Sequence, residues 1–227
     1  MKKLFTKMIL GSPIEPLVRK ILNKPKFKFI SSSSYWDSRY KKKGNSGAGS
    51  YGRLAEFKAN ELNEFVAQND IQKVAEFGCG DGNQLLLSEY PSYIGVDISP
   101  TSINICNKLF KDDDSKTFFV THESEKIEAE LSLSLDVIYH LVEDETFERY
   151  MSDLFMSSSS FVAVYSSNYT DDYAGGAEHV RHRCFTDWVL QNASNFELIK
   201  KVPNLYPYKE NNPNNTSLAD FYFFKKN

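Results

Sequence analysis

The chain has 227 residues, a mass of 26.0 kDa and a formal net charge of −3. Its 41% hydrophobic and 25% charged residues are typical of a globular protein with a full core and exclude a disordered chain. Residues 1–30 carry eight Lys or Arg against Glu15 alone, a net charge of +7, which leaves −10 for residues 31–227. Because nucleic-acid backbones are bound by broad basic surfaces, this acidic main body argues against duplex nucleic acid as a partner.

The cysteines indicate a reducing, cytoplasmic setting. They are widely spaced and odd in number, which predicts neither a disulfide framework nor a metal site; they are Cys79, Cys106 and Cys184. Lys7 interrupts the apolar start and no small-residue cleavage site follows, so we expect no signal peptide. No apolar run approaches the roughly 20 residues that cross a bilayer.

We predict an extension over residues 1–52. In residues 1–30, apolar side chains recur at helical spacing among lysines. One interpretation is a helix that docks on a partner or on the inner face of the membrane. The other is an accessory helix that packs on its own domain. Residues 31–52 are rich in Ser and Gly, which predicts a mobile loop. The loop also contains Tyr35, Trp36, Tyr40 and Tyr51, so it is either a lid or a plain linker.

A second unit, residues 53–227, alternates helices and strands. Its pattern predicts a helix ending near Asp70, strand Val74–Phe77, helix Gln84–Tyr90, strand Tyr93–Asp97, helix Thr101–Phe110 and strand Lys116–Val120. It then predicts a strand after Ile127–Leu133, helix Glu145–Phe155, strand Phe161–Tyr165, helix Phe185–Ala193, and strands Phe196–Val202 and Phe221–Phe224. We therefore expect an α/β fold, a doubly wound and mostly parallel Rossmann-like sheet with a C-terminal antiparallel strand pair.

A glycine-rich loop follows the first strand of this unit. Gly78, Gly80 and Gly82 come between that strand and a predicted helix, where glycine lets the backbone turn tightly and approach a ligand. The helix is expected to point its free N–H groups at the ligand. Asp97 ends the next strand, where a carboxylate accepts hydrogen bonds from ribose hydroxyls. This pattern predicts a nucleoside-containing cofactor.

The spacing and charge of the loop discriminate between cofactors. The glycines are spaced G-x-G-x-G rather than the G-x-G-x-x-G that holds a pyrophosphate, and Glu76 stands directly before them. A carboxylate repels a pyrophosphate but attracts the amino group or the sulfonium of S-adenosylmethionine (SAM). The loop therefore predicts SAM as the cofactor, with S-adenosylhomocysteine (SAH) as its product.

Three segments resemble motifs of class I SAM-dependent methyltransferases: Val74–Asn83, Tyr93–Ser99 and Leu133–Leu141. The resemblance covers roughly residues 54–225. It implies that Glu76, Gly78 and Gly80 line the methionine part, Asp97 the ribose and Glu123 the adenine. Cys79, Ile98 and Asp136 are further candidates for binding the cofactor. A further stretch, Gly44–Lys58, is similar to a bacterial branch associated with surface-polysaccharide (capsule or O-antigen) gene clusters.

Candidate acceptor residues follow the later strands, because ligands bind at the carboxyl ends of parallel strands. Tyr139 and His140 come after the fourth strand, and His140 is either a general base or a residue that fixes the loop. Tyr51 is a further candidate for contacting the acceptor.

The segment His179–Arg183 is cationic within an acidic body. Arg181 and Arg183 are candidates for binding an anionic acceptor, and His179 and His182 for a general base. The alternative is a solvated turn that pairs with Asp171, Asp172 or Glu178. A phosphate-like or phosphoramidate oxygen needs no base, whereas a sugar hydroxyl needs one of the histidines.

The sequence thus favours a SAM-dependent O-methyltransferase that acts on a small, anionic or carbohydrate-linked acceptor in surface-polysaccharide assembly. Two other classes stay open. An NAD(P)-dependent oxidoreductase would also have a ribose-binding acid at the position of Asp97, but its glycines would be spaced G-x-G-x-x-G. A non-catalytic module of the same fold would bind the cofactor without turnover.

Overall fold

The computed structural model describes residues 29–121, 127–170 and 177–227. Some predictions concern residues outside these ranges. They are the predictions for residues 1–28, for Glu123, and for Asp171 and Asp172 as pairing partners. None of the described helices is long and apolar enough to cross a membrane.

Seven strands form one sheet in the order β3-β2-β1-β4-β5-β7-β6. The strands are β1 Lys73–Phe77, β2 Ser92–Asp97, β3 Lys116–Val120, β4 Ala129–Leu135, β5 Ser158–Ser166, β6 Phe196–Val202 and β7 Asp220–Lys226. Strands β1 to β5 pair in parallel, whereas β7 runs antiparallel to both β5 and β6. The predicted mixed sheet with an antiparallel C-terminal pair is confirmed.

Five α-helices flank the described sheet. They are α1 Ser32–Lys41, α2 Gly52–Gln68, α3 Pro100–Leu109, α4 Asp144–Met156 and α5 Phe185–Asn192. Local sequence explains where they begin: Ser31 caps α1 by accepting a hydrogen bond from the Ser34 N–H, and Ser99 caps α3 with Pro100 in its first turn. Helix α2 packs on one face of the sheet, together with Cys79 and Cys106. Helices α4 and α5 pack on the other face.

Three predicted elements differ from the structure. The strand expected after Ile127–Leu133 is β4, which already begins at Ala129. Residues 32–41, expected to be a mobile loop, form helix α1, because the four glycines of this segment all come after Lys43. The helix predicted over Gln84–Tyr90 is only a four-residue 3₁₀ turn, Gln84–Leu87. Leu86 and Leu87 are exposed there, and Pro91 disfavours helical backbone at the residue before it.

Candidate active site

The glycine loop wraps over the end of β2. Gly78, Gly80 and Gly82 have φ of 84°, 59° and 77°, a left-handed conformation that glycine adopts without strain. The Gly78 N–H donates to the Val96 carbonyl at 2.7 Å, and the Gly80 N–H donates to the Asp97 carboxylate at 3.0 Å. Because no α-helix follows, the helix N-terminus expected to face the ligand is absent from this loop, and that prediction is wrong.

Asp97 is held at the carboxyl end of β2 by backbone donors. Its second oxygen accepts the Ser99 N–H at 2.8 Å, and the residue is 7% exposed. Burial raises the pKa of Asp97, while the N–H groups of Ser99 and Gly80 oppose that shift. The carboxylate is therefore fixed in place, with remaining lone pairs for ligand hydroxyls.

Glu76 is a buried acid at the carboxyl end of β1. It is 4% exposed and accepts the Tyr93 hydroxyl at 2.8 Å. Burial raises the pKa of Glu76 to about 7, while the Tyr93 hydrogen bond and the charge of Lys58 lower it. A carboxyl group that titrates near neutrality in a buried site is strongly stabilised as an anion by any cation that binds beside it.

A cavity of about 600 Å³ lies beside this loop, at the carboxyl ends of β1, β2 and β4. The residues predicted to bind the cofactor that line it are Glu76, Gly78, Cys79, Gly80, Asp97, Ile98 and Asp136. Gln84 lines it as well, and the Gln84 side-chain oxygen has no hydrogen-bond partner among the described residues. We call this space the first cavity.

Residues 31–51, which we call the strap, cover the first cavity. At one end the Ser32 hydroxyl donates to Glu143 at 2.7 Å. In the middle Asp37 accepts the Ser99 hydroxyl at 2.8 Å, close to the start of α3. The strap thereby spans the mouth of the cavity from α4 to α3.

The far end of the strap is bonded to the glycine loop. The Ser46 N–H and the Tyr51 hydroxyl donate to the Asp81 carboxylate at 2.9 and 2.7 Å. The Asp81 N–H donates in return to the Ser46 hydroxyl at 2.9 Å. Three hydrogen bonds therefore join the strap to Asp81 of the glycine loop. Tyr51, a predicted acceptor contact, binds Asp81 and lines neither cavity.

Asp136 lies directly after β4 in a strained conformation, with φ of 60°. Its carboxylate lies 2.6 Å from the Lys58 ammonium on α2 and accepts the Tyr139 hydroxyl at 2.8 Å. The Lys58 side chain is 1% exposed, so a buried ion pair fixes the loop that carries Tyr139 and His140. Gly49 of the strap lies so close that a Cβ there would be 2.5 Å from Asp136 Oδ2.

A second cavity, of about 270 Å³, adjoins the first. It is enclosed by the strap, by Asp136, Tyr139 and His140, by His179, and by the connection between β6 and β7. Four residues line both cavities and form the wall between them; they are Trp36, Ser46, Asp136 and His140. A molecule in either cavity would therefore contact these four side chains.

His140 is oriented by one hydrogen bond. Its Nδ1 lies 3.0 Å from the carbonyl oxygen of His179, and since a carbonyl only accepts, the proton belongs on Nδ1 and the Nε2 lone pair is free to accept one. Burial lowers the pKa of His140 to about 4, so the ring is neutral near pH 7. The His179 ring stacks on Tyr35 at 4.2 Å, and burial followed by the charge of Arg39 lowers its pKa.

The remaining predicted site residues lie elsewhere. The Nδ1 of His182 is 2.7 Å from the Ser167 hydroxyl. Arg181 and Arg183 both pair with Asp144, at 2.9 and 2.7 Å, and donate to the Val142 carbonyl. None of these three residues lines either cavity, and the acid that the arginines contact is the first residue of α4.

Sequence reasoning missed Lys58 and Arg39. Lys58 lies on the buried face of α2, four residues after Leu54 and four residues before Leu62. A lysine within an apolar stripe of a helix indicates a buried charge. Arg39 gave no such pattern, because its segment was expected to be a loop. No group of three metal-ligating side chains occurs in the part of the chain that the structure describes.

Comparisons with known proteins identify the fold. No family model and no curated protein matches the chain. Among solved structures, the N-methyltransferase NodS from Bradyrhizobium japonicum WM9, in complex with SAH, is similar over 87% of this chain and 99% of its own, with 12% identity and a TM-score of 0.67. The chain has the fold of SAM-dependent methyltransferases.

Two further structures support this assignment. Magnesium protoporphyrin IX methyltransferase (ChlM) from Synechocystis PCC 6803, with bound SAM, is similar over 89% of this chain and 100% of its own, with 11% identity and a TM-score of 0.60. A SAM-dependent methyltransferase from Clostridium acetobutylicum ATCC 824 is similar over 74% and 90%, with 11% identity and a TM-score of 0.56. At these identities the comparison concerns the fold.

Proposed function

We propose that this chain transfers a methyl group from SAM to an oxygen of a small acceptor. The observation that carries the proposal is the pair of cavities with a common wall at Asp136 and His140. One is large and lies at the glycine loop, whereas the other is smaller and is lined by the strap. Transfer between two bound molecules needs a site for each of them, and the reacting atoms must come to near-attack distance in a place shielded from water.

The residues of the first cavity suit SAM. Asp97 would hold the ribose hydroxyls, and Glu76 with the unpartnered oxygen of Gln84 would hold the amino group of the methionine part. When bound, SAM supplies a methyl carbon on a sulfonium sulfur, and the breaking carbon–sulfur bond leaves its electron pair on sulfur. Trp36 and Tyr40 of the strap line this cavity and would exclude water from it.

His140 is our candidate general base for a hydroxyl acceptor. It lines both cavities, and the hydrogen bond to the His179 carbonyl turns its unprotonated nitrogen away from that carbonyl. The new bond forms between the acceptor oxygen and the methyl carbon, and the hydroxyl proton passes to His140 Nε2. His179 lines the second cavity only and is the alternative base; His182 lies outside both cavities.

An NAD(P)-dependent oxidoreductase is disfavoured by the same loop. A pyrophosphate is held by the N-terminus of a helix, and here only a four-residue 3₁₀ turn follows the glycines. Glu76 would repel the phosphates. A binding module without turnover would need the first cavity alone, so it does not explain the second.

The wider context is also proposed. The resemblance of Gly44–Lys58 to proteins of surface-polysaccharide gene clusters supports a carbohydrate-linked or phosphorylated acceptor in capsule or O-antigen assembly, inside the cytoplasm. Residues 53–227 would form the catalytic domain, and the strap would complete its acceptor site. Residues 1–30, with their net charge of +7, would provide contact with the inner membrane face or with a partner.

Calorimetric titration with SAM, SAH and NADH tests the proposal. We expect SAM and SAH to bind at micromolar concentration and NADH not to bind. Asp97→Ala should weaken SAH binding at least tenfold, whereas the matched variant Asp112→Ala, at an 85% exposed side chain, should bind as the wild type does. Absence of SAM and SAH binding at millimolar concentration would refute the proposal, and tight NADH binding would favour the oxidoreductase.

A further inference from the structure

Arg39 of α1 lines the second cavity and donates hydrogen bonds to Asn45. Two of its N–H groups donate to Asn45, at 2.6 Å to the carbonyl oxygen and 3.2 Å to the side-chain oxygen. Within residues 29–121, 127–170 and 177–227 no carboxylate lies at ion-pairing distance from it. A guanidinium has five N–H donors, so three remain for a ligand.

The position of Arg39 is specific. It lines the second cavity, and its guanidinium carbon lies 5.6 Å from the centre of the Trp36 ring. Arg181 and Arg183, by contrast, are both engaged by Asp144 and by carbonyl oxygens outside the cavities. The other charged group of the second cavity, Asp136, is neutralised by Lys58. Among the described residues, therefore, nothing compensates the positive charge that Arg39 brings to this cavity.

We propose that Arg39 binds an oxyanion, a phosphate or a carboxylate, that forms part of the methyl acceptor. This inference rests on the proposed function, because it assigns the acceptor to the second cavity. Guanidinium groups bind both kinds of oxyanion through two parallel N–H donors. Tyr35 and Trp36 add flat apolar walls suited to a ring.

Arg39 and His140 have different roles towards this acceptor. Arg39 lines the second cavity alone, whereas His140 lines the wall that both cavities share. The oxygen that receives the methyl group must lie at that wall. Pairing with the guanidinium lowers the nucleophilicity of an oxyanion, so the methylated atom is a different oxygen, a hydroxyl whose proton passes to His140 Nε2. The acceptor class is a small hydroxylated molecule with a phosphate or carboxylate substituent.

Binding of inorganic phosphate, acetate and glucose to the SAH-saturated protein tests this assignment by calorimetry. We expect phosphate or acetate to bind in the millimolar range, and glucose to bind more weakly than the tighter-binding of these two anions. Tighter binding of phosphate would indicate a phosphate group on the acceptor, and tighter binding of acetate a carboxylate. Arg39→Gln should weaken anion binding at least tenfold, Arg39→Lys should retain most of it, and Lys42→Gln, an equal loss of charge on an exposed neighbour, should leave it unchanged.

A second measurement does not depend on the variants. NMR titration of the His179 ring should show its pKa rising when phosphate or acetate is added, because the anion offsets the charge of Arg39 that lowers it. Equal anion affinity of wild type and Arg39→Gln, or no anion binding by the wild type, would overturn the assignment. SAH affinity, measured first and alone, reports on the proposed function, so loss of SAH binding and loss of anion binding are separate results.

Discussion

The Lys58 ammonium and the Asp136 carboxylate lie 2.6 Å apart, joining α2 to the loop after β4 across 78 positions of the chain. Lys58 is buried, and its ammonium also lies 5.3 Å from the centre of the Tyr165 ring. The pair holds Asp136 in its left-handed conformation and, through the Tyr139 hydroxyl, fixes the turn that carries His140. The wall between the two cavities therefore depends on Lys58, a residue that lines neither cavity.

Lys58→Met should destabilise the protein strongly, because it leaves the Asp136 carboxylate without its partner. Breaking a buried pair by removing one member costs about 3–5 kcal/mol. Urea denaturation monitored by circular dichroism measures the free energy of unfolding. Asp136→Asn in the Lys58→Met background should recover part of the loss, because the amide carries no charge.

Lys111→Met is the matched control for this experiment. Lys111 pairs with Asp112 at 3.3 Å, but both side chains are largely exposed, at 71% and 85%. Pairs of this kind contribute little to stability, so no change is expected. A loss below about 1 kcal/mol for Lys58→Met would show that the buried pair does not stabilise the wall.

SAH binding should tighten as the pH rises towards 7. In the free protein burial raises the pKa of Glu76 to about 7, so below this pH the group is protonated and must lose its proton to pair with the amino group of SAH. The association constant should rise by up to about tenfold per pH unit from pH 5.5 to 7 and then level off. Calorimetry at several pH values measures this slope.

Glu76→Gln provides the control for the pH dependence. The amide keeps the shape and the contact with Tyr93 but does not titrate, so its SAH affinity should be lower at pH 8 and flat between pH 5.5 and 7. If the wild type also shows no slope over that range, Glu76 does not contact the amino group. A slope retained in Glu76→Gln would assign the titration to another residue.

Much of the fold could be predicted because local pattern determines it. Strands β1, β4 and β5 are covered on both faces, so they appear in the sequence as short apolar runs, and β3 and β6 match their predicted bounds. The glycine loop and Asp97 were predictable for the same reason, since a short chain segment contains the whole pattern.

The second cavity could not be predicted because distant segments build it. Helix α1 has a weak apolar pattern of its own and is held by Glu143 and Ser99, more than 60 residues away. The second cavity combines this helix with the β6–β7 connection. Arg181 and Arg183 were expected near the acceptor from their composition, but their partner Asp144 is 37 and 39 positions away, which no local pattern reveals.

His140→Gln should make the protein relatively more resistant to acid. Burial lowers the pKa of His140 to about 4 in the folded state, whereas an unfolded histidine titrates near 6.5. Between these values the unfolded chain binds more protons, so stability is lost as the pH falls from 6.5 towards 4. Glutamine removes this loss, which we expect to be on the order of 2 kcal/mol because the ring is partly exposed.

The comparison requires urea midpoints for both proteins at pH 7, 6, 5 and 4. Glu76 has the opposite effect on stability in the same pH range. Its pKa is raised, so its protonation stabilises the folded state as the pH falls below 7. In the wild type the contributions of Glu76 and His140 to the pH dependence of stability therefore partly cancel. The difference between His140→Gln and wild type isolates the histidine. A difference that does not change with pH would mean that His140 keeps an ordinary pKa.

Gly49→Ala should loosen the strap without unfolding the domain. The added Cβ would lie 2.5 Å from Asp136 Oδ2, and Asp136 is fixed by Lys58 and Tyr139, so the strap must move instead. The Ser46 N–H, which donates to Asp81, should then exchange with deuterium at least tenfold faster, a loss of about 1.4 kcal/mol of local protection. SAH should also dissociate faster, because a lid that no longer closes cannot retain the ligand.

Ala48→Ser serves as the control, since this neighbouring side chain is exposed and its Cβ already exists. It should leave both the exchange rate of the Ser46 N–H and the dissociation rate of SAH unchanged. Exchange in core strand β4 should be the same in all three proteins, which separates local opening from global unfolding. If Gly49→Ala matches the wild type at Ser46, the close approach of Gly49 to Asp136 does not hold the strap, and Ser46, Tyr51 and Asp81 alone account for its closure.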